Sequence, residues 1–181
     1  MRGLLREFGF AFPAGADKVR PATLAALEDG DNDIPMALRH ALAGLLDQIA
    51  ACQEAMAAIE KQLADIAKLD TRCQRLMAAS GVGLITATAL SAGIGDFARF
   101  PSGRHFASAL GLTPREYSSG GTRKLGRITK QGDVFLRTLL IHGARSALIV
   151  AATARKRGQP LDRTQQWALA LAERKGHNKA A

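Results

Sequence analysis

Residues 36–78 read MALRHALAGLLDQIAACQEAMAAIEKQLADIAKLDTRCQRLMA, and their apolar spacing decides the fold class. Leu38, Leu42, Leu45, Ile49, Cys52, Met56, Ile59, Leu63 and Ile66 alternate steps of four and three residues. Side chains so spaced share one stripe of a helix, and the 3.5-residue period is that of a coiled-coil seam. Asp47, Gln48, Gln53, Glu54, Glu60, Lys61, Gln62, Asp65 and Lys68 fill the intervening positions. No proline falls between Pro35 and Pro101, and Gly44 is the one glycine of the seam region. The spacing predicts a helix from about 36 to 78, roughly 60 Å long at helical rise. Its seam must bury against something. A second copy of the chain is the first reading, another helix of the same chain the second. Cys52, on the seam, reads as a small apolar filler.

Upstream, residues 1–12 read as the last turns of a helix, with Leu4, Leu5 and Phe8 at helical spacing and Gly9 as its stop. Residues 13–35 carry Pro13, Gly15, Pro21, Gly30, Asp31, Asn32, Asp33 and Pro35, which predicts a loop with one short helix near 21–27. Residues 1–35 are therefore expected to be a linker, 36–75 a coiled coil, and 76–181 a small helical domain. The fold class expected is mainly α.

Downstream, Ser80-Gly81-Val82-Gly83 separates two apolar helical stretches. The arrangement resembles a helix-hairpin-helix, whose glycine turn presents backbone N–H groups to a phosphate; a plain tight connection would look the same. Ser102 is expected to cap a helix over 102–110 that Gly111 ends, and Gly132-Asp133 to start another. Leu136, Leu140, Gly143, Ala144 and Ala147 mark the apolar side of that last helix; Arg137 and Arg145 read as nucleic-acid contacts or as its wet face. A final helix is expected over 164–174.

Residues 112–125 read LTPREYSSGGTRKL. Ser118 and Ser119 run into Gly120 and Gly121, with Arg115 before them and Arg123, Lys124, Arg127 and Lys130 after. Glycines let the main chain approach an anion, and arginine and lysine suit phosphate. A serine hydroxyl there could bond a phosphate or attack one. On spacing alone, an ordinary turn is the first reading.

Charge supports an anionic partner. Residues 1–78 hold 9 Lys/Arg and 11 Asp/Glu, a net charge of −2, whereas residues 79–181 hold 16 and 5, a net charge of +11. A basic module beside a near-neutral stalk points to nucleic acid. Cys52 and Cys73 lie roughly 30 Å apart on the expected helix and cannot bridge within it. The histidines (His40, His105, His142 and His177) are scattered, so no structural metal site is expected. No apolar run of about 18 residues occurs, so no membrane span is expected, and a reducing, cytoplasmic setting fits.

Residues 76–150 resemble the C-terminal domain of the DEDD insertion-sequence transposases, the IS-one-ten group with its IS-eleven-eleven branch. The matching residues are Ser80-Gly81-Val82-Gly83, Thr86-Ala87, Ile94-Gly95-Asp96, Phe100, Leu110-Gly111-Leu112-Thr113-Pro114, Ser118-Ser119-Gly120-Gly121 and Gly126-Arg127-Ile128-Thr129-Lys130. Gly132-Asp133, Leu136-Arg137, Gly143-Ala144-Arg145 and the closing Gly176-His177-Asn178-Lys179-Ala180 continue it.

The resemblance implies a recombinase that cuts and rejoins DNA under a structured guide RNA, with a serine that attacks a phosphodiester. The match falls on Ser119, with Ser118 its near neighbour. It also implies a preceding RuvC-like domain with four acidic ligands for divalent metal (magnesium). Nothing in this sequence matches that domain. The expectation is a fragment, inactive alone and holding no cofactor itself, that binds DNA and self-associates through the coiled coil. Gly81, Gly83, Arg115, Gly120, Gly121, Arg123, Lys124, Arg127, Lys130, Arg137 and Arg145 are its expected nucleic-acid contacts. A non-catalytic DNA- or RNA-binding oligomerisation module is the alternative; a coiled-coil scaffold with an incidental basic tail is a third.

Overall fold

The computed structural model describes residues 1–181 and is mainly helical, with one two-stranded sheet. The chain divides into two units, residues 1–60 and 61–181.

In the first unit, α1 (Arg2–Arg6), α2 (Val19–Glu28) and the beginning of α3 (Met36–Leu69) enclose a small core of Leu5, Ala26, Ile34 and Leu42. Phe10, Phe12, Leu27 and Leu38 pack around it. The stretch expected to be a linker is thus folded. The loop between α2 and α3 is held by Arg39, whose guanidinium donates to the carbonyls of Leu27 (2.8 Å), Asp29 (2.7 Å) and Ile34 (3.1 Å) and to Asn32 Oδ1 (2.6 Å). Asn32 Nδ2 in turn donates to the Ala26 and Asp29 carbonyls. One planar guanidinium so satisfies carbonyls at the end of α2 and in the loop that follows it.

The long helix is present, but it stops earlier than its apolar pattern predicts. Asp70 leaves helical geometry (φ −93°, ψ 107°), and α4 (Thr71–Met77) begins there, its first turn capped by the Asp70 carboxylate on the Arg72 N–H at 2.8 Å. A short carboxylate competes with the helix for backbone donors and favours a cap over an interior position. Ser91 on α5 (Leu84–Ile94) donates to the same carboxylate at 2.6 Å. That hydrogen bond first, and Arg72 second, hold the Asp70 carboxyl well below the usual carboxylate range. The break lets α4 turn onto α5, burying Cys73 with Ala67 and Ala87, and burial pushes the Cys73 thiol up.

Along α3 the seam is largely bare. Leu42 is buried, whereas Leu45, Ile49, Cys52, Met56, Ile59 and Ile66 are exposed.

The main core of the second unit joins Leu90 and Ile94 of α5, Leu110 and Leu136. Leu110 closes α6 (Gly103–Ala109), and Leu136 belongs to α7 (Val134–Lys156). Phe97, Phe100 and Phe106 seal its edge, with Phe100 and Phe106 edge-to-face at 5.3 Å. Asp133, expected near the start of this helix, caps α7, its carboxylate accepting the Leu136 N–H at 2.8 Å. Ser102 stands at the N-cap position of α6 without capping it, because its hydroxyl engages His105 Nδ1 at 2.8 Å instead. A reciprocal capping box between Asp162 and Gln165 opens α8 (Arg163–Lys175), which packs on α7, and α9 (His177–Ala180) follows.

The turn before α5 meets α7 backbone to backbone. Gly81 (φ +89°) and Gly143 lie so close that a Cβ on either would overlap the other's carbonyl group. Gly143→Ala should therefore destabilise the fold by about 1–3 kcal/mol, seen as a lower urea midpoint with an unchanged slope. Gly83→Ala, which has open space around its Cα, should shift the midpoint less than a third as far.

Candidate functional site

The serine-glycine segment folds into a hairpin. β1 (Pro114–Glu116) pairs antiparallel with β2 (Leu125–Ile128), matching Pro114 with Ile128 and Glu116 with Leu125. The second strand carries one extra residue between those pairs, a bulge that adds twist. Ser119 and Thr122 close the tip, exchanging backbone hydrogen bonds of 3.3 and 3.0 Å around Gly120 and Gly121. Both glycines have positive φ (+57° and +80°), the requirement of a tight two-residue hairpin turn of the primed kind.

The base of the hairpin is fixed. Thr129 N–H donates to the Thr113 carbonyl (2.9 Å) and Lys130 N–H to the Gly111 carbonyl (3.0 Å). Gly111 faces the backbone of Gln131, and Gly132 faces the Ala109 carbonyl, each too close for a side chain. Lys130 itself takes a positive φ of 58°. This is a strained choice for a residue with a Cβ, imposed by the two glycine contacts that flank it. Arg137, on the first turns of α7, donates to the Leu110 carbonyl at 3.1 Å and is 7% exposed.

The two serines differ. Ser118 Oγ donates to Glu116 Oε1 at 2.6 Å and accepts the Lys124 N–H at 3.1 Å, so its hydroxyl stitches the two sides of the hairpin. Ser119 is exposed at the tip, and its hydroxyl makes no hydrogen bond within the protein. Ser118, Ser119, Gly120, Gly121, Thr122 and Arg123 line a shallow concavity with Glu116. Arg123 Nε lies 3.9 Å from the Glu116 carboxylate, an exposed and weak pairing. Arg115 reaches the Thr129 carbonyl at 3.4 Å. Arg115, Lys124, Arg127 and Lys130 are exposed along the same hairpin.

The structure therefore brings most of the expected residues onto one element and leaves four elsewhere. Arg137 is a correction to the wet-face reading: it is 7% exposed, and its guanidinium bonds the Leu110 carbonyl at the end of α6 inside the fold. Arg145 is half-buried with its Nε enclosed, and so does not belong to a wet face either. Gly81 packs against the backbone of α7 at Gly143, which leaves no room for a side chain there. Gly83 precedes the first turn of α5, apart from the hairpin. Sequence reading also missed a flank. Arg104, His105 and Ser108 of α6 line a groove with Pro114, Glu116, Arg123 and Leu125. Their i, i+1, i+4 spacing on a short polar helix is the signal that could have found them.

Comparison with known proteins decides the family. Residues 73–159 match the model of the transposase IS116/IS110/IS902 family. These residues are a transposase domain of that family. The chain is 39% identical over 185 residues to a Pseudomonas aeruginosa protein named "Probable family 20 transposase", covering all of this chain and 52% of that protein. It is 35% identical over 180 residues to the transposase for insertion sequence element IS1111A of Coxiella burnetii, covering 99% of this chain and 48% of that one. A third relative, the transposase for insertion sequence element IS1328 of Yersinia enterocolitica, is 35% identical over 145 residues, 80% of this chain and 42% of its own length. The chain spans about half the length of these transposases.

The transposase hairpin yields a local test. Ser118→Ala removes the acceptor of the Lys124 N–H, so amide exchange at Lys124 should quicken at least tenfold by NMR, while Ser119→Ala leaves it unchanged. Equal exchange rates in the two variants would show that Ser118 does not tie the strands.

Proposed function

We propose that this chain is the part of an insertion-sequence transposase that grips DNA along the 114–128 hairpin and presents Ser119 as the attacking hydroxyl. The observation that carries the reading is the unequal pair of serines. Ser118 is occupied in holding the tip, while Ser119 stands free beside Gly120 with Arg123 on the same concavity. In the proposed step Ser119 Oγ forms a bond to phosphorus, the bridging oxygen of the strand leaves with the bonding pair, and the hydroxyl proton passes to a base. Glu116 is the hairpin's one carboxylate and the local candidate for that base. The exposed Arg115, Arg123, Lys124, Arg127 and Lys130 would offset charge on the strand.

A serine hydroxyl is a weak nucleophile without an activating neighbour. No three His, Cys, Asp or Glu side chains of this chain converge to hold a metal ion. These residues do not fit a divalent metal. The reading places magnesium in an acidic domain outside this chain, and a structured guide RNA with the assembled enzyme. It also assigns the bare seam of α3, with Met56, Ile59 and Ile66 exposed, to a second copy of the chain.

Covalent trapping tests the central step. With the acidic domain of a relative supplied in trans, a labelled DNA substrate should become attached to this chain. Ser119→Ala should abolish the adduct, a loss of at least 10³-fold on the scale of a removed nucleophile, and leave DNA retention within twofold. Retention without any adduct in the parent chain would favour a binding module, and an adduct that survives Ser119→Ala would overturn the assignment. Sedimentation tests the seam: the chain should be a dimer or larger, and Met56→Lys with Ile59→Lys should make it monomeric. A monomeric parent chain would refute self-association.

A further inference from the structure

A second cationic surface lies on α8, away from the hairpin in sequence and built differently. Between residues 155 and 181 there are 7 Lys/Arg and 2 Asp/Glu. Both carboxylates are occupied. Asp162 caps α8 through the Gln165 N–H at 2.7 Å, and Glu173 pairs with Arg155 at 2.6 Å. Arg163 and Arg174 have no acidic partner.

At about 100° per residue, Arg163, Trp167 and Arg174 fall within roughly 40° of one another around the helix axis. All three are exposed, as are Gln166 and Ala170 on the same stripe. The opposite side of α8 carries the buried Leu169 and faces the core. Trp167 is the only tryptophan of the chain and is 63% exposed. An indole left in water costs hydrophobic free energy, and it is flanked here along the helix by two unpaired guanidinium groups.

An exposed aromatic face between unpaired arginines is the arrangement that holds an unpaired base with its phosphates: the ring stacks and the cations take the backbone. Duplex DNA offers no free base face, so this surface differs in kind from a hairpin that tracks a phosphate backbone. We propose that the Arg163–Trp167–Arg174 face of α8 is a binding site for an unpaired nucleic-acid strand, with one base stacked on Trp167. The proposal rests on α8 alone and is independent of the role given to Ser119.

Because Trp167 is the sole indole, its fluorescence reports the site directly in the unaltered full chain. Titration with oligo-dT or oligo-rU should quench it saturably, and the arm that quenches more tightly identifies DNA or RNA as the source of the strand. A blunt duplex of the same length should quench at least tenfold more weakly per mole of phosphate. Trp167→Ala should weaken binding of a labelled single strand about tenfold, the scale of one stacked base. Arg163→Gln with Arg174→Gln should reduce the salt slope by about 1.4, two phosphates' worth. Hairpin variants Arg115→Gln with Arg127→Gln should leave the single-strand quench within twofold, which separates this site from the hairpin. No quench by either single strand, or equal quench by the duplex, overturns the proposal. So does an emission shift that follows protein concentration without added nucleic acid, because that assigns the face to a second copy.

Discussion

Backbone packed directly on backbone is the constraint from which the second unit takes its form. At Gly81 and Gly143 the turn before α5 and the middle of α7 touch without an intervening side chain. At Gly111 and Gly132 the two feet of the hairpin touch the neighbouring main chain in the same way. Such contacts fix position more tightly than side-chain packing, since no rotamer can shift to absorb a displacement. The buried Arg137 adds a hydrogen bond to the carbonyl that ends α6. The hairpin therefore rises from a base locked to α6 and α7, while its tip carries the two glycines and the free hydroxyl in solvent.

What the sequence made legible follows from which signals are local. The long helix shows in the four-three spacing, and the Asp133 cap and the Gly120-Gly121 turn show in residue type, because the physics of each is confined to a few neighbours. The helix break at Asp70 did not show. Asp70 lies where the apolar pattern runs on towards Cys73, and its carboxylate leaves the helix to bond Arg72 and Ser91, the latter 21 residues away. That Arg137 and Arg145 do not form a wet face is hidden for a related reason. A charged residue on a helix is usually solvated, and only the arrival of the α6 end turns Arg137 inward. The division of work between Ser118 and Ser119 is equally invisible, since it depends on Glu116 and the Lys124 N–H both reaching the Ser118 hydroxyl.

The charge imbalance of the second half gains meaning once each acidic side chain is followed to its partner. Residues 79–181 contain five carboxylates. Asp96, Asp133 and Asp162 each accept a backbone N–H at the start of a helix. Glu116 holds Ser118 and faces Arg123, and Glu173 pairs with Arg155. All five serve the fold, and Glu116 and Glu173 are the two that meet a cation. Most of the sixteen Lys/Arg of this half are left to interact with solvent or with something else. A like-charged surface of this kind works against compactness, and the glycine contacts and the apolar core must offset that repulsion.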